Sequence, residues 1–164
     1  MDFSRLYSEN FSKIYNYVRY HVRLAAEADD VTGRIFEAAL HRFETFDPER
    51  APAAVWLFGI ARNAVIDWAR TRDKRAETSL DGAAEKADPS PRIETALEGK
   101  ERAELLLAAV VGLDERSRDI IALKFTSGLH NREIARMTGL GESNVGIIIY
   151  RAVKKLQSEL KGKI

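Results

Sequence analysis

The sequence predicts an all-α protein made of two small helical units joined by a flexible linker. Three observations carry this. Apolar residues recur at spacings of three and four through most of the 164 residues, and strand-like alternation is absent. Residues 76–92 break the pattern with an acidic stretch rich in Ala, Ser, Gly and Pro. Gly128 and the run Thr138-Gly139-Leu140-Gly141 punctuate the second half, where helices should end. The division is therefore 1–75, a linker at 76–92, and 93–164.

The first unit reads as three helices, or four if the second splits. Phe3, Leu6, Tyr7, Phe11, Ile14, Val18 and Val22 place one stripe on a helix over 3–22. Val31, Ile35, Phe36, Ala39, Leu40 and Phe43 should face inward on a second helix, about Ala28 to Phe43. Pro48 and Pro52 force turn or extended backbone after it. A third helix, about Ala53 to Arg72, turns Ala54, Leu57, Phe58, Ala61, Val65 and Trp68 inward. In the second unit a helix runs from Ile93 to Val111. Asp114 can cap the next one, with Ile120, Ile121, Leu123 and Phe125 apolar. Asn131 can cap a short helix through Met137, and a last helix covers about Glu142 to Leu160.

Composition excludes several function classes. With no cysteine, disulfides, thiolate zinc sites and thiol nucleophiles are ruled out. His21, His41 and His130 are scattered, so no metal site is expected. No Gly-rich phosphate loop or nucleophile elbow occurs, and no enzyme activity or cofactor is expected. Asp29-Asp30 is no catalytic pair, because neighbours on a helix diverge by about 100°. No long apolar run or secretory signal is visible, so a cytoplasmic protein without membrane insertion is expected. The net charge of +1 says little, but basic residues cluster at 70–75 and 151–163.

The stretch from Asn131 to Tyr150 reads as a helix-turn-helix. Ala135 is small where two helices must approach, and Gly139 suits a turn of positive φ. An ordinary helical hairpin would share these features. Glu142, Ser143 and Asn144 open the second helix, where they can meet phosphates or base edges. Arg151, Lys154 and Lys155 can reach phosphates, although cations also favour a helix C-terminus. The third helix combines Trp56, Phe58, Arg62, Asn63, Asp67, Trp68 and Arg70, a mixture that suits separated strands. In isolation Trp56 and Trp68 read more readily as core.

These constellations, in this order, resemble the extracytoplasmic-function (ECF) group of bacterial sigma-70 family RNA polymerase sigma factors. Ala28-Asp29-Asp30-Val31 with Phe36 is similar to the group's polymerase-binding helix. Trp56 through Asn63, then Asp67 and Arg70, resembles its strand-opening helix. Leu113 to Arg118, Glu133-Ile134-Ala135, Gly139 and Arg151-Ala152 resemble its promoter-reading domain. The resemblance implies transcription initiation with core RNA polymerase, promoter DNA and an anti-sigma factor as partners. Polymerase docking would use Asp29, Asp30, Gly33, Arg34 and Phe36. The loop 46–54 with Trp56, Arg62, Asn63, Asp67 and Arg70 would take the melted −10 element. Arg132, Glu142, Ser143, Asn144, Ile147, Arg151, Lys154 and Lys155 would bind the −35 duplex.

Two departures stand out. Gly33 occupies a position where the group usually has glutamine. Ile147-Ile148-Ile149 follows the buried valine where basic or polar residues are usual, and the three cannot all face inward. They leave open a decoy for an anti-sigma partner, and a plain helix-turn-helix regulator is a further alternative. The linker lets the units stand apart or pack with their binding faces covered.

Overall fold

A computed structural model describes residues 1–78 and 97–163. The described residues form α1 (Phe3–His21), α2 (Ala25–Arg42), a 3-10 turn (Phe43–Thr45), α3 (Ala53–Thr78), α4 (Leu97–Val111), α5 (Glu115–Ser127), α6 (Asn131–Thr138) and α7 (Glu142–Leu160). The fold is all-helical, as expected. The second helix does not split, so the first unit is a three-helix bundle. The helix α3 continues past Arg72 through the first residues of the expected linker, and the remainder of 76–92 lies outside the described residues. The start expected at Ile93 also lies outside them.

Local chemistry sets the helix ends. Asp2 caps α1 by accepting from the Arg5 N–H at 2.8 Å. Asp114 caps α5 by accepting from the Ser117 N–H at 3.1 Å. Hydrogen bonding to Ser117, through its side chain first and its backbone N–H second, holds the Asp114 carboxyl below its ordinary pKa. The α6 cap is His130, one residue before the expected Asn131; its N–H donates to the Glu133 side chain at 3.0 Å. Gly128 and Gly139 end α5 and α6 with φ of 73° and 76°.

In the first unit Leu6, Ile14, Val18, Ile35, Leu57, Phe58 and Ala61 are fully buried. In the second, Val110, Leu113, Ile121, Ile134, Val145, Ala152 and Leu156 fill the space between α4, α5, α6 and α7. Four expected core assignments fail. Leu40 and Phe125 are 55% and 59% exposed, and Tyr7 and Phe11 are partly exposed at the rim. The apolar stripes on α1 and α2 are wider than the surface their neighbours cover.

The two units pack together. Helix α1 lies along α5, with further contacts to α4, and α3 touches α5. Buried residues of both units, among them Tyr17, Phe58, Ile120 and Leu123, belong to one continuous apolar cluster.

Gly139→Ala tests the turn between α6 and α7. A Cβ there meets no atom within 4 Å, so only backbone strain opposes it. The expected loss is about 1–2 kcal/mol of stability. Urea denaturation of the two proteins measures it.

Candidate nucleic-acid interface

The α6–α7 pair has helix-turn-helix geometry. The Gly139 N–H donates to the Ala135 carbonyl at 2.9 Å, and Thr138 Oγ1 donates to the Ile134 carbonyl at 2.7 Å. Ile134 and Val145 are fully buried in the angle between the helices, and Ala135 is buried beside them. Leu140 and Ile148 pack partly buried against that core. The chain then enters α7 at Gly141, whose carbonyl accepts from the Val145 N–H at 3.0 Å.

One face of α7 is left to solvent. Glu142, Ser143 and Asn144 are exposed in its first turn, and Ile147, Tyr150, Arg151, Lys154 and Lys155 are exposed along it. Of the three successive isoleucines only Ile147 is exposed, at 48%. The Lys154 ammonium sits 5.6 Å from the Tyr150 ring centroid. Arg132 is exposed at the start of α6. This outer face carries polar groups near the helix N-terminus and cations further along. Tyr150, 64% exposed, was missed by the sequence reading because aromatics in a helical repeat read as core.

The strand-binding candidates do not all share one face. Trp56, Asn63, Asp67 and Arg70 recur at intervals of seven, four and three, so they lie along one stripe of α3. Asn63, Asp67 and Arg70 are exposed, while Trp56 is half-buried against Phe46, with ring centroids 4.9 Å apart. The turn ahead of the stripe is ordered by Asp47, whose side chain accepts from the Glu49 N–H at 2.9 Å. Arg62 stands about 100° round the helix from Asn63 and points toward α5. Trp68 is half-buried, with the Arg72 guanidinium 5.3 Å from its ring centroid.

On α2, Asp29, Asp30, Gly33 and Arg34 are exposed, and Asp30 pairs with Arg34 at 2.7 Å one turn on. Such an exposed pair adds little stability. Phe36 is buried beneath Tyr7 and Phe11, with ring centroids at 4.7 and 5.9 Å. It therefore supports this face from below, and Leu40 is the apolar residue it exposes.

Arg62 leads to a polar cluster that sequence reasoning missed. Its Nε donates to Asp119 Oδ2 at 2.8 Å, and the Tyr17 hydroxyl donates to Asp119 Oδ1 at 3.0 Å. His21 Nε2 lies 3.9 Å from the same Oδ1, within ion-pair range but beyond a hydrogen bond. The Asp119 side chain is only 16% exposed. Burial is the main cause raising the Tyr17 hydroxyl well above its ordinary pKa, and Asp119 adds to it. Burial likewise holds His21 down at about 4; Asp119 opposes this, while Arg118 and Arg62 reinforce it.

Comparison with known proteins identifies the two units. Residues 6–75 match the model of sigma-70 region 2, and residues 103–156 match that of sigma-70 region 4. The chain is 34% identical over 145 residues to the RNA polymerase sigma factor CnrH of Cupriavidus metallidurans, covering 82% of this chain and 73% of CnrH. The chain belongs to the ECF group of sigma-70 family RNA polymerase sigma factors. As such it is a transcription initiation factor and not an enzyme. This sigma factor is also 35% identical over 158 residues to the ECF sigma factor BldN of Streptomyces coelicolor, covering 94% of this chain but only 58% of BldN. Its structure superposes on CnrH, solved in complex with the cytosolic domain of CnrY, at a TM-score of 0.70 and 27% identity. That match covers 99% of this chain and 89% of CnrH. The sigma factor RpoE of Bartonella quintana, solved with the anti-sigma factor NepR, shares the fold at a TM-score of 0.76 and 19% identity over 99% of both chains.

Among the described residues of this sigma factor, no group of three or more His, Asp or Glu side chains is placed to hold a metal ion. No described helix is long and apolar enough to cross a membrane.

The His21 site gives a pH prediction for the sigma factor. An unfolded imidazole titrates near about 6.5, so the native state resists a proton that the unfolded chain accepts. The stability this histidine contributes is present above about pH 6.5 and is lost as pH falls toward about 4. Urea titrations should show a loss of about 2 kcal/mol on going from about pH 7.5 to about pH 5. In His21→Gln that component should vanish.

Proposed function

We propose that this sigma factor divides promoter recognition between its two units. The region 2 unit docks on core RNA polymerase through α2, around Asp29, Asp30, Gly33 and Arg34, with Phe36 holding the face in shape. The Asp47 turn and the α3 stripe of Trp56, Asn63, Asp67 and Arg70 then take the melted −10 element. Trp56 offers a stacking surface, Asn63 and Asp67 hydrogen-bond base edges, and Arg70 meets phosphate. Arg62 joins them once it is free of Asp119.

The region 4 unit lays α7 in the major groove of the −35 duplex. Ser143 and Asn144 read base edges, Glu142 can accept from a cytosine amine, and Ile147 can contact a thymine methyl. Arg132, Arg151, Lys154 and Lys155 hold phosphates and make binding salt-dependent. The observation that carries this reading is the α3 stripe, which a duplex-binding regulator would not need. We further propose cytoplasmic action under the control of an anti-sigma protein, by analogy with the partners solved on RpoE and CnrH.

The direct test adds the purified chain to core polymerase on a promoter library and maps the start sites. Defined start sites that require the chain are expected; uniform background initiation would refute the reading. Within that assay Asn144→Ala should reduce discrimination at one −35 position by about 1–3 kcal/mol. Arg151→Ala should weaken all sequences alike and flatten the salt dependence of binding. A change in base preference would contradict its assignment to phosphate.

Gly33→Gln tests the docking face. The glycine is exposed, a Cβ there meets no atom within 4 Å, and its replacement removes a helix penalty of up to about 1 kcal/mol. Tighter binding to core polymerase is expected in a titration. Unchanged or weaker binding would remove the reason for treating Gly33 as a departure that weakens docking.

A further inference from the structure

We infer that Asp119 is a latch that holds the sigma factor closed, by occupying Arg62 and Tyr17 of the other unit, and that closure and promoter-strand binding compete for Arg62. The inference rests on the sigma-factor reading above and extends it to the free chain.

Asp119 sits on α5, in the second unit. Its two oxygens receive hydrogen bonds from two different helices of the first, Tyr17 on α1 and Arg62 on α3. One carboxylate thus ties α1, α3 and α5 at a single point. The site is largely closed to water, with the Arg62 and Asp119 side chains 26% and 16% exposed. Tyr17 is fully buried, with its ring 5.6 Å from that of Phe58 in its own unit and its hydroxyl on Asp119 of the other. A second, looser contact lies nearby: Arg19 and Arg23 approach Glu104 of α4 at 3.4 and 3.9 Å.

Closure also turns the strand-binding helix toward the second unit. A groove of about 1020 Å³ between them is lined by Trp68 and Arg70 on one side and by Asp114, Arg116 and Leu140 on the other. Arg70 and Arg62 thus share a space with Asp114, Glu115 and Asp119 at the start of α5, where Arg116 and Arg118 also stand. The closed arrangement spans the whole chain that superposes on CnrH.

A guanidinium cannot satisfy a carboxylate and a nucleic-acid phosphate in the same fork at once. If a phosphate takes Arg62, Asp119 is left as a poorly hydrated carboxylate beside apolar surface, and separating the units rehydrates it. Strand binding and opening are therefore linked, and the linkage is reciprocal. Opening frees Arg62, and anything that holds the units together withholds it.

The chain has no cysteine, so paired labels can be placed at will. Ser12→Cys on α1 and Ser158→Cys on α7 are both exposed and stand clear of the latch. Spin-label or fluorescence distances in the full chain should show one compact population. Asp119→Asn should raise the ratio of open to compact molecules by about tenfold or more. Tyr17→Phe, which leaves Arg62 and Asp119 in place, should raise it several-fold. A single-stranded oligonucleotide carrying the −10 element should lengthen the distance in the unaltered chain, and the two variants should bind it more tightly. Circular dichroism checks that both variants keep their helices.

Compact populations that stay unchanged in both folded variants would overturn the latch, and so would weaker oligonucleotide binding by Asp119→Asn. If the variants open but the unaltered chain drives no specific initiation, the latch stands and the sigma-factor reading falls. If the chain initiates and neither variant opens, the reading stands and the latch falls.

Discussion

A carboxylate enclosed between two helical units requires a cation and a donor, and Asp119 finds both across the interface in Arg62 and Tyr17. Much of the molecule's form is organised around that requirement. Tyr17 must lie on the side of α1 that faces α5, so α1 carries two packing faces in place of one. Arg62 must leave the outer stripe of α3 and turn inward. His21, at the end of α1, is drawn into the same enclosure and kept neutral there. A salt bridge in such a place is poor insurance for stability, since desolvation offsets much of its attraction. Its geometric specificity fixes how the units meet.

The sigma-factor surfaces follow from how each helix distributes its residues between core and solvent. Helix α7 buries Val145, Ala152 and Leu156 and leaves Ser143, Asn144, Ile147 and Tyr150 outside, so its proposed reading face is the complement of its packing face. Helix α3 works the same way, with Leu57, Phe58 and Ala61 inward and Asn63, Asp67 and Arg70 outward. On α2 the division is less clean. Phe36 goes under Tyr7 and Phe11, while Leu40 emerges two turns on from Gly33, so the proposed docking face combines charged residues with an apolar margin.

Contacts within one helix or across one tight turn were legible in the sequence. The cap of α5 depends on a carboxylate three residues from its donor, and Gly139 on the φ of one residue. Helical spacing alone separated Asn63, Asp67 and Arg70 from the core, and required that one of three successive isoleucines face water. What could not be read was everything decided by the distance between units. Asp119 is an ordinary charged residue in a helix of mixed composition, and nothing near it in sequence pairs with it. Its partners Arg62 and Tyr17 are 57 and 102 residues away. A faint signal existed on α1, where Tyr17 and His21 continue the stripe of Leu6 and Ile14 and Tyr20 lies at its edge, which widens the face available for packing. Leu40 and Phe125 were misplaced for the opposite reason, because hydrophobicity marks what can be buried and leaves open whether a neighbour arrives to bury it.

The central claim is that one pair of surfaces serves two arrangements: closed in the free chain, and separated when region 2 grips melted strands and region 4 grips duplex. The most direct measurement is the α1-to-α7 distance in the labelled, unaltered chain, alone and then assembled with core polymerase on promoter DNA. The account predicts one short distance in the free chain, replaced by a distinctly longer one in the promoter complex. The same short distance in both states would contradict it, because the −10 and −35 elements could not then be held at once.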